Sequence, residues 1–158
     1  MTRLPALGPR GEGWVLIQLV LLAAIAAAGL VGPAWSGDAR VAGTAVGVVL
    51  AGIGGWLAVR GIVDLRSALT PLPYPRPDAE LVERGAYRLV RHPIYGGLIL
   101  GAVGWGLAWA SPFALGLAVT LFGFFSLKSR REEAWLAERF PGYAAYRTRT
   151  RRLIPFVY

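Results

Sequence analysis

The amino-acid sequence predicts an all-α fold, a polytopic helix bundle that crosses a membrane about four times as one integral domain over residues 1–158. Three observations carry that expectation. Of 158 residues, 55% are hydrophobic and only 16% are charged, and the mean hydropathy is +0.49, too apolar for an ordinary soluble domain of this size. Four apolar runs recur, at 14–31, 41–59, 94–110 and 112–127. The basic residues gather in the polar stretches that separate or flank those runs.

Residues 1–13 form a short polar lead with Arg3 and Arg10. Trp14 to Val31 is broken only by Gln18 and Gly29. At 1.5 Å per helical residue it reaches about 27 Å, close to the thickness of a bilayer core. It exceeds a signal-peptide core and lacks a convincing small-residue cleavage site, so a retained first span is expected. A short loop with Pro33, Gly37 and Asp38 leads to the second run, Val41 to Val59. Gly43, Gly47 and Ala51 recur there at intervals of four, a spacing that lets helices pack closely in lipid. Packing within the bundle is preferred over a dimer face.

Asp64 and Arg66 are expected to carry the second helix into water. Pro71, Pro73, Pro75 and Pro77 then predict an extended, stiff spacer. A short interfacial helix or turn around Gly85 follows. Ile94 to Ala110 and Pro112 to Leu127 are the third and fourth spans, joined at Ser111-Pro112 as an antiparallel hairpin. The segment from Lys128 to Glu133 should prolong the fourth helix out of the membrane, with Trp135, Leu136 and Phe140 as an apolar stripe and Pro141-Gly142 as its end.

The lead has two Arg, the 60–91 segment six, and the stretch from Lys128 onward eight basic residues; Arg40 lies alone in the first loop. With 16 of 17 basic residues on one side, the positive-inside rule places both termini and the His92 segment in the cytoplasm. The net charge of +8 is thus a topology signal and not a nucleic-acid surface. There is no cysteine and one histidine, which excludes disulfides and thiol nucleophiles and makes a metal site improbable.

Chemistry concentrates in Gly85-Ala-Tyr-Arg-Leu-Val-Arg-His-Pro-Ile-Tyr-Gly-Gly97. Pro93 suits the first position of a helix, with His92 as its cap. Arg91, His92 and Tyr95 then surround a helix N-terminus, whose free N–H groups and dipole favour an anion. Gly96 and Gly97 allow another group close to the backbone. The hairpin brings this corner level with Lys128 to Glu133. Helix N-terminus, histidine, arginines, glutamates and tyrosines at one membrane depth would suit a zwitterionic cofactor. Taken singly, the same residues also serve as interfacial anchors or a solvated helix end.

The ordered set Leu81-Val82, Gly85, Tyr87, Arg91-His92-Pro93, Tyr95 and Gly97, followed by Glu132-Glu133, Leu136, Phe140, Tyr143, Tyr146 and Arg152-Leu-Ile-Pro155, resembles the isoprenylcysteine carboxyl methyltransferase and phospholipid methyltransferase superfamily. The resemblance covers about half the chain; the first two spans match nothing distinctive. It implies an integral-membrane enzyme using S-adenosyl-L-methionine, with the cofactor pocket formed by residues 78–95 and 128–158. The implied cofactor contacts are Leu81, Val82, Tyr87, His92, Pro93, Tyr95, Glu132 and Glu133. On the substrate side it implies Lys128, where eukaryotic members have Arg, and Arg131 is placed beside it. Arg to Lys loses bidentate geometry. No residue is expected as a general base, because aligned approach to a sulfonium methyl needs little acid–base help. The implied partners are the lipid bilayer and a methyl acceptor, an isoprenylcysteine-type carboxylate, a phospholipid amine or a thiol. The alternatives are an NADPH-dependent membrane reductase of the sterol-reductase type and a non-catalytic membrane module.

Overall fold

A computed structural model describes residues 5–31, 35–70, 72–74 and 80–158. Residues 1–4, 32–34, 71 and 75–79 fall outside the described residues. With them go Arg3, Pro33, and the connector's Pro71, Pro75, Arg76, Pro77 and Asp78. Among the described residues the chain is helical without a strand: α1 (Glu12–Val31), α2 (Asp38–Leu65), α3 (Pro93–Ala108), α4 (Pro112–Arg139) and α5 (Tyr143–Arg149), with single 3-10 turns at Arg66–Ala68 and Gly85–Arg88.

Three helices, α1, α2 and α4, are long and apolar enough to cross a membrane. Much of their apolar surface points outward: Val31, Val41 and Val119 are each more than 70% exposed. Water would penalise that surface and lipid would not. Helix α3 is apolar but has only 16 residues, about 24 Å against a hydrocarbon core of about 30 Å. Helices α2 and α4 each run for 28 residues without a break, about 42 Å, so both stand clear of the core at one end.

The α3–α4 reversal follows from local chemistry. Trp109 ends α3, Ala110 takes a positive φ of 52°, and Ser111 accepts the Ala114 N–H at 3.2 Å while donating to the Ala28 carbonyl at 2.7 Å. Ser111 therefore caps α4 and ties it to α1, and Pro112 opens the helix where no N–H is required.

Helices α2 and α3 pack along a seam of small residues that includes the expected spacing of four, since Gly43 meets Leu107 and both Gly47 and Ala51 meet Gly104, and Gly54 and Gly61 continue it at intervals of seven. A Cβ on Gly47 would lie 2.6 Å from the Gly104 carbonyl oxygen, and one on Gly54 would lie 2.5 Å from that of Gly97. Gly61 extends the seam, where a Cβ would meet Pro93 and Ile94 at 2.9 Å. The close approach of two backbones is therefore internal to the bundle, as small residues permit in lipid. Helix α1 lies on α4, with Trp14 packed on Phe124 at 5.6 Å between ring centroids. The buried core joins Ile25 of α1, Ile99 and Ala102 of α3, Ala118, Leu121 and Phe125 of α4, and Leu153.

Asp64 does not enter water. It is buried, accepts the Ala86 N–H at 2.8 Å and pairs with Arg60 at 3.2 Å. Gly85, at φ 58°, lies so close that a Cβ would overlap the carboxylate. The turn expected around Gly85 is thereby pinned to the end of α2. The connector is likewise no free spacer where it is described. Pro73 packs beside Gly11, and Tyr74 meets Trp135 edge to face at 5.5 Å.

Candidate active site

One cavity of about 330 Å³, within the range of ligand pockets, opens where α2, α3 and α4 end on the same side. Its α4 wall is Lys128, Glu132, Leu136 and Phe140, four residues at intervals of four and therefore one helix face. Tyr95 and His92 supply the α3 wall, and Leu81, Val82 and Tyr87 the wall before it. Leu69, Leu72 and Pro73 cover one side, and Tyr143 and Tyr146 of α5 another. Gln18 of α1 reaches the cavity from within the bundle.

The aromatic rings form a stack. His92 lies parallel to Tyr95 at 5.3 Å and 4°, and Tyr95 lies on Phe125 at 4.5 Å and 12°. The Tyr95 hydroxyl donates to Glu132 Oε2 at 2.8 Å, and His92 Nδ1 is 3.7 Å from the same oxygen. One carboxylate oxygen therefore fixes the Tyr95 ring by a hydrogen bond, and the His92 ring is stacked on it.

Glu133 does another job. Its Oε1 receives Arg91 Nε at 2.8 Å and lies 3.4 Å from both His92 Nε2 and Arg152 Nε. Arg91 also donates to the Thr150 carbonyl at 2.5 Å and the Arg147 carbonyl at 3.2 Å. The backbone follows: Arg91 N–H bonds the Arg151 carbonyl at 2.8 Å and His92 N–H that of Arg152 at 3.0 Å. A Cβ on Gly96 would overlap the Leu153 carbonyl. The anion held at this corner is the chain's own Glu133, and the group that approaches Gly96 is the chain's own returning segment.

The structure therefore brings Leu81, Val82, Tyr87, His92, Tyr95, Glu132 and Lys128 to one cavity, and leaves three of the expected residues off its wall. Glu133 sits in the ionic cluster behind it. Pro93 is packed against Gly61 as the first residue of α3. Arg131 lies over the Trp135 ring at 4.2 Å, on an adjacent face of α4. Helical geometry separates them, since successive residues turn by about 100°.

Two wall residues were named in the sequence without a pocket role, Gln18 as a break in an apolar run and Tyr143 as one member of the ordered set. Gln18 accepts the Lys128 ammonium at 2.5 Å; its signal was being the one polar side chain within an apolar run. Tyr143, 1% exposed, has a hydroxyl without a hydrogen-bond partner among the described residues. Burial, reinforced by Glu133, raises that phenol well above its ordinary range, so it keeps its proton and remains a donor. Tyr146 differs: its hydroxyl donates to the Tyr87 carbonyl at 2.7 Å and ties α5 to the turn.

The pocket chemistry is mixed by position. Leu69, Leu72, Leu81 and Val82 give an apolar side suited to a flat ring system. Glu132 and Glu80 offer acceptors for hydroxyl or ammonium groups, and Tyr143 an unspent donor. That donor set fits an adenosyl amino acid. Among the described residues there is no group of His, Asp or Glu suited to hold a metal ion.

Residues 42–142 match the family model described as phospholipid methyltransferase. The chain belongs to that family. The matched region takes in α2, α3, α4 and most of the pocket wall, but neither α1 nor α5. Among curated proteins, the chain is similar to protein-S-isoprenylcysteine O-methyltransferase B of Arabidopsis thaliana, 34% identical over 80 residues, which cover 49% of this chain and 41% of that protein. It is also similar to the protein-S-isoprenylcysteine O-methyltransferase of Saccharomyces cerevisiae, 37% identical over 82 residues, covering 51% of this chain and 34% of that protein. The chain thus spans less than half the length of the curated relatives it matches. Family membership and three long apolar helices together make this a membrane protein.

Proposed function

We propose that the chain is an integral-membrane methyltransferase that uses S-adenosyl-L-methionine and methylates a lipophilic or small acceptor. The observation that carries the reading is the convergence of the ordered motifs on one cavity beside an unspent, buried Tyr143 donor, in a member of the phospholipid methyltransferase family. The phospholipid methyltransferase family match favours this reading over the reductase alternative.

When bound, the cofactor supplies a methyl group activated by its sulfonium. The chain's own residues do the rest. Leu81 and Val82 would hold the adenine by apolar contact, with Tyr87 and His92 beside it. Glu132, oriented by Tyr95, would accept from hydroxyl or ammonium groups, and Tyr143 would donate. Pro93 and Glu133 act one layer back: the first sets the start of α3, the second holds Arg91. The apolar bundle below excludes water, so that alignment supplies most of the rate. The distribution of basic residues supports a cytoplasmic side for the pocket and both termini.

Thermal shift in detergent tests this with S-adenosylhomocysteine, NADPH and ATP in parallel, because a ligand that binds only the folded state raises the melting temperature. A shift with S-adenosylhomocysteine alone, lost in Glu132→Ala, is expected. A shift with NADPH alone would move the protein to the reductases.

A further inference from the structure

After α5 the chain turns back toward the apolar part of the bundle. Leu153 is fully buried in the core with Ile25, Ile99 and Phe125, and the Tyr158 ring packs on Phe122 of α4 at 5.6 Å. Phe122 lies six residues before Lys128, about 9 Å along the helix axis, and so within the membrane-crossing part of α4. Between Leu153 and Tyr158 the backbone closes on itself. The N–H groups of Leu153 and Ile154 donate to the Tyr158 main-chain oxygen at 2.7 and 2.9 Å. Those of Val157 and Tyr158 donate to the Ile154 carbonyl at 3.2 and 3.1 Å. Pro155 has no N–H to satisfy. At the tip, Phe156 and Val157 are 82% and 75% exposed, and Phe156 is held at a positive φ of 65°.

Hydrocarbon tolerates irregular backbone only where the polar groups are satisfied within the protein, and this turn satisfies its donors internally. Water would penalise the two large apolar side chains at its tip. The surrounding charge is of one sign. The Tyr158 hydroxyl accepts from Arg152 at 3.1 Å and is flanked by Arg130. Arg130 and Arg151 are both exposed, and neither has a carboxylate partner among the described residues. Arg151 N–H donates to the Leu89 carbonyl at 3.4 Å, which brings Arg88 and the exposed Leu89 to the same rim. Guanidinium groups pair strongly with phosphate, and basic residues beside a membrane are drawn to anionic headgroups.

We propose that residues 153–158 form a wedge inserted into the adjoining bilayer leaflet, anchored by Arg130 and Arg151 on anionic phospholipid headgroups, and that this anchorage steadies the His92 corner. The link is covalent and short. The carbonyls of Arg151 and Arg152, which receive the N–H groups of Arg91 and His92 at 2.8 and 3.0 Å, immediately precede the turn. A lipid that binds the seated turn better than a detached one therefore favours the closed corner by the same differential affinity. The inference concerns the membrane surface and stands independently of the methyltransferase reading.

The test uses the full chain in nanodiscs of phosphatidylcholine, with or without phosphatidylglycerol. Because the chain has no cysteine, one environment-sensitive fluorophore can be attached at Phe156→Cys, at Val157→Cys or, as the control on α5, at Arg149→Cys. The label at 156 and 157 is expected to emit at shorter wavelength than at 149, and to be quenched by lipid carrying a nitroxide on its acyl chain. Emission at 156 and 157 matching that at 149 would overturn the insertion. So would a shielded label that the nitroxide does not quench, because another protein surface would then cover the turn. Hydrogen exchange reads the anchor. The Arg91 and His92 amides should exchange roughly fivefold more slowly with phosphatidylglycerol present, and Arg130→Gln combined with Arg151→Gln should remove that difference. Exchange that ignores phosphatidylglycerol, or a difference that survives the double substitution, would overturn the anchor. No readout uses the methyl donor, so a protein that failed to bind S-adenosylhomocysteine would lose its methyltransferase reading while these results still decided the wedge.

Discussion

At the scale of single residues, neighbouring tyrosines separate structure from ligand binding. Tyr146→Phe removes a buried hydrogen bond to the Tyr87 carbonyl and should cost about 1–2 kcal/mol, read as a lowered denaturation midpoint. Tyr143→Phe removes a hydroxyl with no partner. It should leave the midpoint almost unchanged and weaken S-adenosylhomocysteine roughly tenfold, measured by calorimetry. Glu133→Gln should destabilise by about 3–5 kcal/mol, because Arg91 keeps its buried charge without its carboxylate. The sequence made the Glu132-Glu133 pair conspicuous but did not divide its labour. Counting by four from Lys128 selects Glu132, Leu136 and Phe140 and rejects both Arg131 and Glu133. That periodicity was present in the sequence, and a resemblance carried residue by residue passes over it. Gln18 was visible as an oddity, but its partner lies 110 positions away, and nothing local announces such a contact.

At the scale of elements, the four apolar runs were legible because hydropathy and helix length impose a strong signal. The ends of helices were less so. Asp64 looked like a residue bound for water, yet the Ala86 N–H and the small Gly85 make a buried place for it. The α2–α3 seam gives contrasting substitutions. Gly54→Leu should drive α2 from α3 and greatly reduce folded, detergent-stable protein, since the added atoms meet backbone. Gly52→Ala faces open space and should be neutral or raise stability by up to about 1 kcal/mol, seen as an unchanged or higher midpoint. A dimer face on α2 would predict the reverse order of sensitivity, because Gly52 and not Gly54 lies on the outer surface.

At the scale of the whole molecule, orientation is testable with unusual cleanliness because the chain has no cysteine. A single Cys placed at Arg84 or Arg149 should react with an impermeant maleimide only from the cytoplasmic side, and one at Gly37 only from the opposite side. Labelling of both groups from one side would reject the four-crossing arrangement. The pocket itself draws on α1, the end of α2, the turn before α3, the far half of α4 and the segment after it. The carbonyls of Arg147, Thr150, Arg151 and Arg152 hold Arg91 and His92. During synthesis, then, the membrane helices can insert one after another while the His92 corner still lacks its clasp. A nascent chain would acquire the site only after residues 147–153 had left the ribosome and folded back, so that competence to bind a ligand arrives as a late, single event in biogenesis.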